Sequence, residues 1–121
     1  MASISLRSFK KEDLDNLRAW SKEIDARRYM SRVFPKCFNE NNFDNSEYFD
    51  WFVIINDGND VGCIWFEKEH IKDKYVQLGI IIGNEELFNK GIGRKAIEQA
   101  IRESKLIVHA PKIRLNVRKN N

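Results

Sequence analysis

Little in this chain marks it as anything but an ordinary folded domain. Only two of its 121 residues are cysteine, Cys37 and Cys63. Neither has a partner at metal-ligand spacing, which argues against a zinc site. Cys63 lies in an apolar run and is expected to be a buried thiol. No apolar stretch is long enough for a membrane helix, and the N-terminus carries none of signal-peptide length. These absences predict a cytoplasmic protein with reduced thiols and no membrane partner. Neither sign of charge dominates: 21 basic residues face 18 acidic ones, for a net charge of +3. Acids and bases alternate almost everywhere, apart from Arg27-Arg28 and Arg118-Lys119. The basic stripe of a nucleic-acid module is therefore missing, and no nucleic-acid partner is expected. The chain also has no repeat, low-complexity tract or linker.

What remains suffices for one core. Hydrophobic residues make up 42% of the chain and aromatic ones 12%, the composition of a folded globule. The length suits a single domain spanning residues 1–121.

The pattern along the chain predicts its elements. Ser3 to Ser8 alternates Ile4 and Leu6 with polar residues, as a strand does. Leu14, Leu17, Trp20 and Ile24 follow a helical stripe, so a helix is expected over about residues 11–25. Tyr29 to Tyr48 has weak periodicity and reads as loop with one or two helical turns. Trp51 to Ile55, Val61 to Phe66 and Tyr75 to Ile82 read as three strands of a meander. The first two are joined by a turn over Asn56 to Asp60. Gly79 inside the third strand suggests a bulge or a close backbone approach. Ile92, Ala96, Ala100 and Ile101 predict a helix over about residues 91–105. Pro111 interrupts the chain before a last strand, Lys112 to Val117. The order is that of an α+β fold: a mixed, largely antiparallel sheet with helices on both faces.

Chemistry concentrates where the third strand meets the second helix. Gly79-Ile80-Ile81-Ile82 leads through a short loop to Leu87-Phe88-Asn89-Lys90-Gly91-Ile92-Gly93-Arg94. Two glycines at a helix start expose backbone N–H groups, the helix dipole adds positive potential, and Arg94 and Lys95 add charge. An anionic ligand, most simply a diphosphate, is expected there. The run Gly91-Ile92-Gly93-Arg94-Lys95-Ala96 formally fits a dinucleotide fingerprint. However, its first glycine does not follow the strand at once, and no acid lies between Ser104 and the terminus to hold a ribose.

With the strand before it and Ile113-Arg114-Leu115-Asn116-Val117 after it, this loop resembles the GNAT family of N-acetyltransferases. That family's signature is Arg or Gln, two residues, Gly, one residue, then Gly or Ala. Gly91 and Gly93 hold the small positions. Phe88 stands where one branch, the ribosomal-protein and diamine acetyltransferases, carries an aromatic. The resemblance runs from Ile4 to Asn121 and implies the acyl-CoA N-acyltransferase fold. It covers that fold's first two-thirds or so, stopping after the fifth strand and short of a last helix and two strands.

The resemblance also implies a cofactor, acetyl-CoA, and a way of holding it. Backbone groups of Ile80 and Ile82 would pair with the pantetheine amides in a V opened by a bulge near Gly79. Phe88, Asn89, Lys90, Gly91, Ile92, Gly93 and Arg94 would surround the pyrophosphate. Asn116 faces them from the next strand, and Asn121 falls where relatives often bond the pantetheine arm. The reaction would be attack of an amine on the acetyl thioester, with the N–H of Ile80 stabilising the oxyanion. A base is also required. Where relatives place a Glu on this strand, the chain has Gln77, so the catalytic residues stay unassigned. Glu67 and Glu85 are candidates, with Glu69, Glu86 and His70 as further acids and bases nearby. Tyr29, Tyr48 and Tyr75 are not where the family's Tyr acid stands. Phe34, Phe38, Phe43 and Tyr48 could line an acceptor pocket as readily as a core.

Two functions follow from this reading. One is acetyl-CoA-dependent transfer to a primary amine of a small molecule or protein. The alternative is a non-catalytic acetyltransferase-like domain that binds coenzyme A or self-associates. The early stop leaves the last strand as a bare edge, which predicts a homodimer that covers it.

Overall fold

A computed structural model describes residues 3–24, 33–35, 48–70, 72–87, 90–109 and 112–115. Eight elements follow in order: β1 (Ile4–Ser8), α1 (Leu14–Glu23), β2 (Phe49–Asn56), β3 (Asn59–Glu67), β4 (Tyr75–Ile82), α2 (Ile92–Glu103), α3 (Leu106–His109) and β5 (Lys112–Leu115). Short 3₁₀ turns precede α1 and α2, at Lys11–Asp13 and Glu85–Leu87.

The strands form one sheet in the order β1-β2-β3-β4-β5. The first three pairings are antiparallel and β4 pairs β5 in parallel. The parallel step needs a crossover, and α2 and α3 supply it.

Period-two alternation divides the apolar residues between the two faces. On one face Phe52, Ile54, Ile64, Phe66, Val76 and Leu78 pack under Ile92, Ala96 and Ala100 of α2. The alanines let the helix lie close to the sheet. On the other face Trp51, Val53, Cys63, Trp65 and Ile81 pack with Phe9, with Leu17 of α1 and with Ile24 just past its end. The Phe9 ring stacks on Trp51 at 3.7 Å between centroids. Each large side chain buried this fully contributes about 1.5–3 kcal/mol. The sheet is thus covered by α1 on one face and α2 on the other, the α+β layering expected.

Polar groups fix the ends of these elements. Asp57 and Gly58 both have positive φ, at 50° and 85°. They make a two-residue hairpin turn between β2 and β3, tighter than the five-residue turn read from the sequence. Arg7 forks onto Asp13 at 2.7 and 2.9 Å and reaches Asp60 at 2.7 Å. The same Asp13 accepts the Lys10 N–H at 2.8 Å. This anchor holds Lys11–Asp13 as a 3₁₀ turn, so the α-helix proper starts at Leu14 rather than at residue 11. Buried Asp50 accepts the Ser104 hydroxyl and, at 3.2 Å, the Leu106 N–H. That carboxylate caps α3, an element absent from the sequence reading.

One expectation about the sheet is corrected. Gly79 is not a bulge: β3 and β4 pair one-to-one from Gly62↔Ile82 to Glu67↔Gln77, with Trp65 opposite Gly79. A Cβ at Gly79 would overlap the Trp65 indole. The glycine makes room for a cross-strand ring. The last strand is described over Lys112–Leu115, and Asn116 and Val117 of its predicted span lie outside the described residues. Most of the stretch from Tyr29 to Tyr48, including Phe38, Phe43 and Cys37, lies outside the described residues.

Candidate functional site

Alternation along β4 decides where its backbone points. In an antiparallel pair, residues that exchange hydrogen bonds alternate with residues that face away. Gly83 N–H donates to Val61 C=O at 2.8 Å, just past the register pair Gly62↔Ile82. Stepping back by twos, Ile81, Gly79 and Gln77 face β3. Val76, Leu78, Ile80 and Ile82 therefore turn their N–H and C=O groups toward β5. Lys112 N–H accordingly donates to Lys74 C=O, at 3.4 Å. Among the described residues, pairing with β5 runs from Tyr75↔Lys112 to Leu78↔Leu115. Beyond Leu78, the groups of Ile80 and Ile82 meet no strand among the described residues. Among the described residues they form a short open edge within the sheet.

The start of α2 lies over that edge. A Cβ at Gly93 would stand 3.8 Å from the Cδ1 atoms of both Ile80 and Ile82. Gly91 is the N-cap, with φ at 81°, and no side chain caps the helix. The space where its Cβ would sit is empty to 4 Å. The first intrahelical bond runs from Lys95 N–H to Gly91 C=O at 3.1 Å. The N–H groups of Ile92, Gly93 and Arg94 thus have no helical acceptor. Lys90, Arg94 and Lys95 are exposed around them. The Arg94 Nε lies 3.2 Å from Glu98, an exposed pair with little hold on the guanidinium. Open amides, a dipole end and mobile positive charge make a fitting cradle for a phosphate diester.

The opposite face of the same edge carries other chemistry. The register sets Glu67, Gln77 and Arg114 side by side across β3, β4 and β5. Glu67 is 4% exposed. Its Oε1 accepts the Trp65 indole N–H at 3.4 Å. Arg114 stacks its guanidinium 3.8 Å above the Tyr75 ring.

The structure therefore brings Ile80, Ile82, Lys90, Gly91, Ile92, Gly93 and Arg94 together, and sets Glu67, on the neighbouring strand β3, on the opposite face of the sheet. Phe88, Asn89, Asn116 and Asn121 lie outside the described residues. Glu85 sits in the 3₁₀ turn before α2. Glu69, Glu86 and His70 are exposed. Trp65 lies within the predicted strand Val61 to Phe66 and is not among the candidate site residues named from the sequence. Its position on Gly79 and its bond to Glu67 give it a place in the site. The signal was available in the pair of one glycine and one tryptophan on adjacent strands, but only the register joins them. Among the described residues there is no cluster of three metal-ligating side chains. No helix among them is long and apolar enough to cross a membrane.

Comparison with known proteins gives the same outline. A family model described as an acetyltransferase (GNAT) domain matches residues 3–121. No curated protein matches the sequence. Among solved structures, a domain from Methanocaldococcus jannaschii aligns over 100% of this chain and 81% of its own, with a TM-score of 0.75 and 19% identity. A spermidine N-acetyltransferase SpeG chimera of Vibrio cholerae and hSSAT sequences aligns over 93% of this chain and 69% of its own, with a TM-score of 0.65 and 22% identity. The aminoglycoside acetyltransferase AAC(6')-Ib, solved with coenzyme A, aligns over 98% and 77%, with a TM-score of 0.69 and 14% identity. At these identities the likeness is one of fold.

Proposed function

The chain belongs to the acetyltransferase (GNAT) domain family, and from that premise we propose that it transfers an acetyl group from acetyl-CoA to a primary amine of a small molecule or protein. One observation carries the reading: the uncapped glycine start of α2 lies over the open edge at Ile80 and Ile82. The two halves suit the two halves of coenzyme A. The amides of Ile92, Gly93 and Arg94 would hold the pyrophosphate. The N–H and C=O groups of Ile80 and Ile82 would pair with the pantetheine amides as an added strand does.

When bound, acetyl-CoA supplies an activated acyl carbon, to which the amine nitrogen bonds as the carbon–sulfur bond breaks. The N–H of Ile80, turned away from β3, would donate to the acyl oxygen as negative charge develops there. Because this donor is backbone held in a paired strand, little reorganisation is needed during reaction. Release of free thiol from acetyl-CoA on adding a panel of primary amines tests the proposal. Thiol release that depends on an amine is expected. Its absence across the panel, with acetyl-CoA still bound, would leave only a binding domain.

That second reading has its own support. The residue beside the open edge on β4 is Gln77, whose amide accepts no proton. The outer side of β5 also has no strand beside it among the described residues. A domain that binds coenzyme A and self-associates through that edge would show a dimer mass by light scattering and no thiol release.

A further inference from the structure

We propose that Glu67 takes the proton from the acceptor's ammonium group through one bridging water, on the α1 face of the sheet. The proposal rests on the acetyl-transfer reading and names the group that would make the amine reactive.

An alkylamine at neutral pH is an ammonium ion without a free electron pair, so a proton acceptor must stand near the point of attack. The described acids differ sharply in fitness. Asp13 is held beside Arg7 of β1, three strands away from β4. Asp50 lies on the opposite face and caps α3. Glu69 and Glu86 are solvated. Glu67 alone among the described acids is both buried and directed at β4.

Geometry gives the reach. Glu67 and Gln77 are register partners, as are Trp65 and Gly79. The four residues therefore share one face, the one that packs with α1. The six-membered side of the indole lies against Gly79, where a Cβ would overlap Cζ2 and Cε2, and Cε2 is bonded to Nε1. That Nε1 donates to Glu67 Oε1 at 3.4 Å. Covalent geometry then puts a carboxylate oxygen within about 8 Å of the β4 backbone at Gly79, the residue before the Ile80 N–H. Such a gap suits one water between carboxylate and amine nitrogen. The indole bond turns the carboxylate along the sheet toward Gly79. The α2 face is left to the phosphates, so acceptor and cofactor would approach from opposite sides.

The proton balance is simple. The ammonium gives one proton through the water to Glu67. The electron pair left on nitrogen makes the new bond to the acyl carbon as the carbon–sulfur bond breaks, and the second proton that this nitrogen sheds goes to the departing thiolate. Glu67 returns its proton to solvent after product leaves. Among the described residues, the titratable or charged groups placed near Glu67 by sequence and register include Lys68, next in sequence, Tyr48 on the β2 side, and Tyr75 and Arg114 beyond Gln77. Its direct neighbour on β2, Phe49, is apolar.

The test compares wild type, Glu67→Gln and Glu67→Asp for acetyl transfer to primary amines across pH, with acetyl-CoA affinity measured separately by calorimetry. Glu67→Gln is expected to lower kcat on the order of a hundredfold or more. It should keep acetyl-CoA affinity and erase the acidic limb of the pH profile. Glu67→Asp should keep that limb and part of the rate. An unchanged kcat and limb in Glu67→Gln would overturn the proposal. A second readout needs no turnover: the indole N–H resonance of Trp65, followed as n-butylamine is titrated into the coenzyme A complex. It should move in wild type and stay still in Glu67→Gln. No movement in wild type would also overturn the proposal. If no amine is acetylated but the resonance responds, the ammonium site stands and the acetyl-transfer reading falls.

Discussion

Replacing Gly79 by Ala adds one methyl group where the Trp65 indole already lies. The overlap involves Cζ2, Cε2 and Cη2 of the ring, so no small rotation clears it. Trp65 is 3% exposed and sits in the core shared with Trp51, Cys63 and Ile81. The ring cannot swing into solvent, and its neighbours must give. Overpacking of this kind costs about 1–3 kcal/mol. A domain of this size has an unfolding entropy near 0.25 kcal/mol per kelvin, so the melting temperature should fall by about 4–12 °C. Thermal unfolding followed by circular dichroism measures it. In a Trp65→Leu background, itself destabilised by the lost ring, the added methyl should cost far less. A Gly79→Ala protein within about 0.5 kcal/mol of wild type would refute the reasoning. So would an equal loss in both backgrounds, because the indole would then not be the obstacle.

Three further outcomes follow from buried polar groups. Burial pushes the Asp13 carboxyl upward, but Arg7 and the Lys10 N–H outweigh it and hold it below its ordinary 3.8. Its charge therefore stabilises the fold above about pH 4, and that contribution is lost as pH falls through the depressed folded value. Asp13→Asn should flatten this acid limb in a pH series of urea melts. Burial pushes the Cys63 thiol from 9.0 up to about 12. Stability should thus decline as pH rises from 9 toward 12, and an aromatic disulfide reagent at pH 8 should label Cys63 only in denaturant. Ser104→Ala withdraws a donor from buried Asp50 and should cost about 1–3 kcal/mol. Faster amide exchange at Leu106 in that variant would locate the loss at α3.

Local chemistry made much of this fold legible. Tyr75–Ile82 stood out because an apolar run lies between a charged turn and a polar loop, and the strand has those bounds. The start of α2 was legible in Gly91, since a left-handed N-cap favours glycine, whereas the packing at Gly93 leaves room for a Cβ. What could not be read depends on residues far apart in sequence. The cap of α3 comes from Asp50, more than fifty residues before Leu106. Leu106 to His109 is too short to show a helical period, and Pro111 nearby reads as a break. Gly79 was noticed, but its reason is a ring on the next strand, and only the register shows that. The same register carries Glu67 from the end of a strand to the edge of the site. The acceptor side stays the least legible, because Tyr29 to Tyr48 has neither a clear period nor a motif.

The most direct measurement is a calorimetric titration of acetyl-CoA into the wild-type chain and into Gly91→Trp. That substitution forces a side chain onto a residue with φ at 81° and places an indole in the open space over the α2 amides. The account predicts binding with one site per chain and Kd on the order of micromolar for wild type. For the variant, which should still melt cooperatively, it predicts a loss of a hundredfold or more, equivalent to about 2.7 kcal/mol. Equal affinity in both proteins, or no binding by wild type, would contradict the assignment of the glycine start of α2 as the cofactor's cradle.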